Sequence, residues 1–539
     1  TDAFPADLAD RARRWVTEAA DRARRDQALP ASIRLYTQAL ELLGDVDHCE
    51  APPEDVTEAV RIHIARASAA AEGWELALGR SDAERAFALA MASGDEGAAA
   101  RALVAKGEIE QKEGDVEAAV ATLSDAARRF RELGDLGGLG EALRRRGMVE
   151  IFGNRIPDAE VSAAAALAAF EEVGDRSGVA WASQNLAWTA FVSGRPDEAD
   201  QRLQVAIEVF SEVVDTQGLA WSLGLLAWVR FQQGRVAEAQ ALGEQVLDEA
   251  RARSDPWATA MMLMLVASLR LWAGRTDEAV SMAEQALRTF TGLGDGYGGA
   301  QAGAVLGRAL VMAGRVEEGF ALLVKVGSPD GPGTPTRDGF WRYALLAASL
   351  QVGEPHRGAA VLDDIEALAD SGLGGDDATA VLALAALMQG DVAAAERALA
   401  RARTQDLDPN VMAVHALTAA AAGSGEAGAI ADRITGSTGS TYLDRAIANL
   451  AAALEAAAGD AGAAEAQARL SVARSAVHGT EDRVARAVVE LGAASVAARL
   501  ALPEAEETAA HAEHLVAKLG VEPAGWNHVF ALATRAVPT

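Results

Sequence analysis

The chain has 539 residues, half of them apolar, a formal net charge of −29 and a single cysteine, Cys49. Such an acidic chain repels nucleic-acid phosphates, so we expect no direct nucleic-acid partner. One cysteine excludes a disulfide within the chain. With no secretory signal pattern at the N-terminus, we expect a cytoplasmic protein. The longest apolar runs, such as TAVLALAALM at 379–388, are too short to span a bilayer, so we expect no membrane association.

Residues 1–94 carry helical patterns without a strict spacing. In this part, DVDHCE at 45–50 places five side chains of metal-binding type in one loop: Asp45, Asp47, His48, Cys49 and Glu50. No second His or Cys stands at ligand spacing. We therefore interpret the segment as an acidic, solvated linker and predict no metal site there.

Residues 95–326 repeat with a period of 40. Four kinds of landmark recur: Gly-Asp pairs at 94, 134, 174 and 294; Gly-Arg pairs at 194, 234, 274 and 314; alanines at 119, 159, 199, 239 and 279; and phenylalanines at 130, 170, 210 and 290, with Ala250 between the last two. Glycine favours the end of a helix, and acidic residues favour its start. Each repeat is therefore predicted to be a helix, a tight turn, a second helix and a short linker, and such units stack into a solenoid.

Residues 327–339, GSPDGPGTPTRDG, are rich in Gly and Pro and form the clearest break in the pattern. Beyond it, residues 340–539 are rich in alanine, with turns near Gly353, Gly390, Gly423 and Gly459. The segment 516–533 is predicted to be a final capping helix. The sequence thus predicts four parts: looser helices over 1–94, a regular array over 95–326, a linker over 327–339, and Ala-rich helices over 340–539.

The regular repeat resembles the tetratricopeptide repeat (TPR) in a long variety. Leu186-Ala187, Gly194, Ala199 and Ala206 match the TPR pattern at the family's offsets. The segments 32–45 and 79–95 resemble second helices of such units. This resemblance implies an all-α fold, a right-handed superhelical solenoid of antiparallel helix pairs. It also implies that the first helix of each unit lines a concave groove.

Aromatic residues form a stripe on the predicted first helices. WASQNLAWTAF at 181–191 and WSLGLLAWVRF at 221–231 place two Trp and a Phe at positions i, i+7 and i+10, which share one helix face. The TPR resemblance implies that this face points into the groove, with arginines near both ends. The predicted groove residues are Trp181, Trp188, Phe191, Trp221, Trp228, Phe231, Met261, Met264, Trp272, Arg101, Arg144 and Arg308. Such a groove suits a peptide or protein segment with acidic groups; the alternative is that the Trp side chains pack in the core between layers.

Motifs for catalysis are missing from the sequence. It contains no phosphate-binding GxxxxGK[ST] loop, no GxSxG nucleophile turn and no HExxH metal motif. Glu507, His511 and His514 share one helix face, but two His without further ligands are weak evidence for zinc. We predict no enzyme activity, no catalytic residue, no bound metal and no cofactor.

The segments 6–45 and LGVEPAGW at 519–526 resemble the C-terminal TPR part of large actinobacterial signalling proteins. Those proteins carry an ATPase switch module and either a nucleotide cyclase or a DNA-binding domain, and their TPR array receives the signal. Because this chain begins with Thr1, we expect it to be a piece of a longer protein. The resemblance implies a regulatory sensor or scaffold, with an ATPase switch domain in the same or another chain as partner. The alternatives are a free-standing adaptor and a receptor for a small molecule such as a sugar.

Overall fold

A computed structural model describes residues 6–26, 28–44, 46, 51–153, 155–328, 339–371, 375–402, 408–437, 439–459 and 462–535. Within these ranges it contains 27 α-helices, one 3-10 helix at Pro355–Val361 and no strand. Successive helices pack as antiparallel pairs, so the predicted all-α, TPR-type solenoid is confirmed. The helices are α1 Ala6–Arg25, α2 Leu29–Leu43, α3 Pro53–Glu72, α4 Leu76–Ser93, α5 Glu96–Lys112, α6 Val116–Leu133, α7 Leu136–Phe152, α8 Ile156–Val173, α9 Arg176–Val192, α10 Pro196–Val213, α11 Thr216–Gln232, α12 Val236–Ala252, α13 Pro256–Trp272, α14 Thr276–Leu293, α15 Gly296–Met312, α16 Val316–Val326, α17 Gly339–Val352, α18 Leu362–Ser371, α19 Gly375–Met388, α20 Val392–Leu399, α21 Pro409–Ala422, α22 Ala427–Thr435, α23 Tyr442–Ala458, α24 Gly462–His478, α25 Arg483–Arg499, α26 Ala505–Leu519 and α27 Ala524–Ala533.

The chain forms two compact units. Unit 1 comprises Thr1–Phe191, Asp197–Leu225 and Leu293–Asp295, and unit 2 comprises Val192–Pro196, Leu226–Gly292 and Gly296–Thr539. In unit 1, the first helices α1, α3 and α5 each contact their own second helix and also the next first helix, as α5 does with α6 and α7. The first helices therefore lie side by side on one face of unit 1. The four-part division read from the sequence stays a prediction, and residues 329–338 of its linker lie outside the described residues.

The 40-residue period sets the helix boundaries. First helices begin at 96, 136, 176, 216, 256 and 296, and second helices begin 20 residues later in each repeat. Gly134 and Gly174 adopt left-handed φ angles of 70° and 72° at the helix ends, and the Asp135 carboxylate accepts a hydrogen bond of 2.8 Å from Gly138 N at the next helix start. The two glycines therefore end the second helices, and Asp135 caps the start of the next first helix. Val214, which replaces the glycine in one repeat, keeps the left-handed conformation with φ 58°.

The Phe at the end of a second helix packs against a glycine of the next first helix, which leaves room for the ring. A Cβ added to Gly178 would lie 2.3 Å from a ring carbon of Phe170, which is 3% exposed. The same Phe–Gly contact occurs in three further repeats: Phe130 with Gly138, Phe210 with Gly218, and Phe290 with Gly298. Where the Phe is replaced, both positions are alanine: Ala90 with Ala98, and Ala250 with Ala258. In the repeats that carry it, the Phe at the end of the second helix therefore packs into the next unit.

A buried ion pair fixes the hairpin of α3 and α4 in unit 1. Arg66 donates two hydrogen bonds, of 2.7 and 2.8 Å, to the carboxylate of Asp82, and His63 Nδ1 lies 2.7 Å from Asp82 Oδ1. Asp82 is only 2% exposed. Burial opposes its charge, but the hydrogen bonds from Arg66 and His63 hold the pKa of this carboxyl below its usual range.

Unit 2 closes on itself through contacts between distant parts of its sequence. Glu481 N donates a hydrogen bond of 2.7 Å to the carbonyl of Gly274, in the turn that joins α13 to α14. Farther along, Gly525 N donates to the carbonyl of Gly353 at 2.9 Å, and Trp526 Nε1 donates to the carbonyl of Gln351 at 2.9 Å. The final helix predicted over 516–533 is shorter in the structure: α26 ends at Leu519 before Gly520, which has a φ of 68°, and α27 begins at Ala524. α27 packs against α19, α21, α23 and α25.

Candidate functional site

The first helices α5 and α7 of unit 1 carry charged side chains that pair with one another. Glu141 accepts hydrogen bonds of 2.7 and 2.8 Å from Arg144 and one of 2.9 Å from Arg145. Arg145 on α7 also forms an ion pair of 2.9 Å with Glu108 on α5. Burial opposes ionisation of Glu141, but the two guanidiniums lower the pKa of Glu141 to about 2. The two helices are therefore joined by a network that stays charged at neutral pH.

Trp181 on α9 lies next to this charged network. The guanidinium of Arg144 lies 5.1 Å from the centroid of the Trp181 ring, a cation–π contact. On its other side the ring packs edge-on against Phe210, with centroids 5.1 Å apart. The indole N–H donates a hydrogen bond of 3.0 Å to Asp215. Trp181 is thus fixed by three contacts while its surface stays only half-buried.

The aromatic stripe continues from α7 through α9 to α11. Trp188 lies 5.7 Å from Phe152 and 6.1 Å from Trp221, measured between ring centroids. Trp188 is 8% exposed, whereas Trp221 and Phe191 are half-buried. We call the surface formed by Glu108, Glu141, Arg144, Arg145, Trp181, Trp188 and Trp221 the unit 1 groove. It contains a charged part on α5 and α7 and an aromatic part on α9 and α11.

Three polar residues at the aromatic part have buried atoms without hydrogen-bond partners. Gln184 and Ser222 are fully buried, and neither the amide of Gln184 nor the hydroxyl of Ser222 has a partner. Asn185 is also fully buried; its Nδ2 donates 2.8 Å to the carbonyl of Arg144, while its Oδ1 has no partner. None of the three is among the predicted groove residues, although the spacing places Gln184 on the same helix face as Trp181 and Trp188. Their spacing is ordinary for a helix, and only the packing shows that they are unpaired.

The remaining aromatic residues of the predicted groove belong to unit 2. Phe231 lies 6.3 Å from Trp228 and 5.3 Å from Trp272, measured between ring centroids. Trp228 and Phe231 are half-buried and Trp272 is 37% exposed. Met261 and Met264 are only 8% and 5% exposed, and they pack in the interior of unit 2.

The three predicted arginines have different surroundings. Arg101 is exposed on α5, and Arg144 is 8% exposed beside Trp181. Arg308 in unit 2 lies over the ring of Tyr343, 5.8 Å from its centroid. Acidic groups lie near Arg308: desolvation by the surrounding protein, together with the charge of Asp408, raises the pKa of Asp377 to about 6, although Asp377 keeps an exposed surface.

Metal-ligand geometry is missing from the part of the chain that the structure describes. Glu507, His511 and His514 are exposed on α26, and the described residues contain no group of three or more His, Cys, Asp or Glu side chains arranged to hold a metal. The segment at 45–50 lies outside the described residues apart from Val46. No described helix combines the length and the apolar character that crossing a membrane requires.

Neither a protein-family model nor a curated protein matches the chain. Similar solved structures include Rap protein complexed with competence and sporulation factor, 14% identical over 67% of this chain and 99% of the other, with a TM-score of 0.49. The apo form of the quorum sensor NprR from B. thuringiensis is 14% identical over 64% and 97%, with a TM-score of 0.43. A STAND signal transduction ATPase with a tetratricopeptide repeat sensor, from Pyrococcus horikoshii, is 14% identical over 63% and 54%, with a TM-score of 0.39. At these levels of identity and TM-score, the similarity says nothing about which ligand this chain binds.

Proposed function

We propose that the chain is a non-catalytic TPR-type sensor or scaffold that binds a peptide or a protein segment in the unit 1 groove. The observation that carries this proposal is the state of Trp181. Its ring is held by Arg144, Phe210 and Asp215, yet part of its surface stays accessible. A rigid aromatic side chain with a free face loses little conformational entropy on binding, and such residues supply most of the energy at protein interfaces.

The charged part of the groove determines which charge the bound peptide carries. Glu108 and Glu141 are already paired with arginines, so a cationic group of a ligand gains little from them. Arg101 is exposed on α5 and offers its charge to an acidic group. The proposed occupant is therefore a peptide segment that places an aromatic or aliphatic side chain on Trp181 and an acidic side chain toward α5.

The proposal extends to unit 2 and to a biological role. Trp228, Phe231 and Trp272 retain accessible surface and form a second aromatic surface for a partner. Met261 and Met264 are too buried to reach a ligand without rearrangement. Arg308, which lies over the ring of Tyr343, is kept among the proposed partner-binding residues of unit 2. On the resemblance of the sequence to large signalling proteins, we assign the chain a cytoplasmic, regulatory role with an ATPase switch domain as a partner.

The test begins with peptides selected from a random-peptide phage library on the full chain. Their affinities are then measured by fluorescence anisotropy for the wild type, for Trp181→Ala and for Trp15→Ala. Trp15 is 73% exposed on α1 and outside the groove, so it is a matched control for removing an indole. We expect Trp181→Ala to weaken binding about tenfold or more and Trp15→Ala to leave it unchanged.

Loss of folding in Trp181→Ala is controlled by a second variant. Trp181→Phe keeps a ring against Phe210 and Arg144 and loses only the hydrogen bond to Asp215. Thermal unfolding followed by circular dichroism reports whether each variant keeps its helices. If selected peptides bind Trp181→Ala as tightly as the wild type, or if no peptide is selected, the unit 1 groove is not a peptide-binding site.

A further inference from the structure

The buried amide of Gln184 lies in the middle of the aromatic part of the unit 1 groove. On α9, Gln184 follows Trp181 by three residues and precedes Trp188 by four, so the three side chains share one helix face. Gln184 is 0% exposed, and neither Oε1 nor Nε2 has a hydrogen-bond partner within the protein. An acceptor and two donors of one side chain are thus unused at the same point of the groove.

An unpaired buried amide is a destabilising feature that needs a cause. More than nine in ten buried polar groups in folded proteins have a hydrogen-bond partner, and an amide that loses its water without replacement weakens the folded state. A methionine or leucine at this position would fill similar space without that penalty. On the same helix Asn185 Oδ1, and on the next first helix Ser222 Oγ, are also buried without partners, so α9 and α11 together carry four such atoms.

The two flanking indoles differ in how firmly they are held. Trp181 is fixed by its hydrogen bond to Asp215 as well as by ring contacts. Trp188 has ring contacts with Phe152 and Trp221 at centroid distances of 5.7 and 6.1 Å. Rotation of Trp188 breaks only non-directional contacts, which a ligand side chain in the same place restores. Of the two indoles that flank Gln184 on α9, Trp188 is therefore the less firmly held.

We propose that Gln184 is the polar recognition group of the groove and pairs with the main-chain N–H and C=O of one residue of an extended peptide. Its Nε2 donates to that residue's carbonyl, and its Oε1 accepts from that residue's N–H. The two groups of one residue point to the same side of an extended chain, so a primary amide, which offers a donor and an acceptor side by side, is complementary to them. The inference rests on the proposed function, since it assigns the peptide main chain to a groove whose aromatic part takes the peptide side chains.

The first part of the test removes the amide without changing the size of the side chain. Gln184→Met is compared with the wild type and with Gln201→Met, the same substitution at an exposed residue of α10. We expect Gln184→Met to unfold at the same or a higher temperature than the wild type and to bind library-selected peptides about tenfold more weakly. Gln201→Met is expected to match the wild type in both measurements.

The second part locates the peptide group that Gln184 contacts. Each main-chain nitrogen of the tightest selected peptide is methylated in turn, which removes one N–H donor at a time. We expect one methylated peptide to lose affinity for the wild type but to bind Gln184→Met no more weakly than the unmethylated peptide does. Coupling of this kind between one peptide nitrogen and one side chain does not arise from a general loss of folding.

The outcomes separate this inference from the proposed function. Peptides that lose affinity on Trp181→Ala yet bind Gln184→Met as tightly as the wild type overturn the role of Gln184 and keep the groove. A lower unfolding temperature for Gln184→Met, with no methylation-sensitive coupling, shows that buried water pairs with the amide and also overturns it. If Trp181→Ala does not change the affinity of the selected peptides, or if no peptide is selected, both the peptide-binding groove and the role of Gln184 are overturned.

Discussion

Replacing Gly178 with alanine tests the size matching between consecutive repeats. The added Cβ would lie 2.3, 2.5 and 2.7 Å from three ring carbons of Phe170, whose side chain is 3% exposed and has little room to move. Overpacking of this kind costs about 1–3 kcal/mol. Alanine in place of glycine stabilises the helix by about 0.5–1 kcal/mol through its higher helix propensity. We therefore expect Gly178→Ala to lower the local free energy of unfolding by about 1–2 kcal/mol.

The double variant gives the sharper result. Phe170→Ala alone empties a buried site and is expected to cost about 3–5 kcal/mol. In that background the collision is gone, so Gly178→Ala is expected to stabilise by about 0.5–1 kcal/mol and to recreate the natural pair Ala250 and Ala258. The change in sign corresponds to a coupling free energy of about 2 kcal/mol between the two positions.

Hydrogen exchange followed by mass spectrometry suits this cycle, because long repeat arrays do not unfold in one step and the method reports the stability of α8 and α9 directly. Gly137→Ala is the control: its Cβ would meet only Asp135 Oδ1, at 3.6 Å, so it is expected to stabilise slightly. Equal effects of Gly178→Ala in the wild type and in the Phe170→Ala variant would refute the size-matching argument.

Four other substitutions have expected outcomes that follow from the structure. Val214→Gly relieves a left-handed residue and is expected to stabilise α10 and α11 by about 1 kcal/mol in hydrogen exchange. Gly274→Ala, whose Cβ would lie 2.6 Å from Thr480, is expected to lower the urea midpoint more than Gly194→Ala, which meets no atom within 4 Å. Asp82→Asn removes the buried negative charge that pairs with the half-buried Arg66 and is expected to cost about 3 kcal/mol, measured by hydrogen exchange of α3 and α4. The pKa of Asp377 is raised to about 6, so ionisation of this carboxyl destabilises unit 2 as the pH rises from about 4 to about 6. The urea midpoint of the wild type is expected to fall over that range, and Asp377→Asn is expected to reduce this fall.

The candidate site was only partly readable from the sequence. Periodicity placed Trp181, Trp188 and Trp221 on one face of the first helices, because each helix fixes the direction of its own side chains. It did not show that Arg144 lies over the Trp181 ring or that Asp215 accepts its N–H, since those pairs depend on how far neighbouring helices are shifted along each other. The unpaired state of Gln184 was invisible for the same reason: hydrogen bonding is a property of everything around the amide.

The sequence by itself determined the period, the helix boundaries and the TPR-type fold. Those features depend on contacts within a repeat or between adjacent repeats. The residues that specify them therefore recur every 40 positions. Only the tertiary structure decided that Glu481 bonds to the turn at Gly274 and that α27 packs against four earlier helices. Contacts between residues about 200 positions apart leave no periodic trace, because they depend on the small rotation from each repeat to the next accumulated over several repeats.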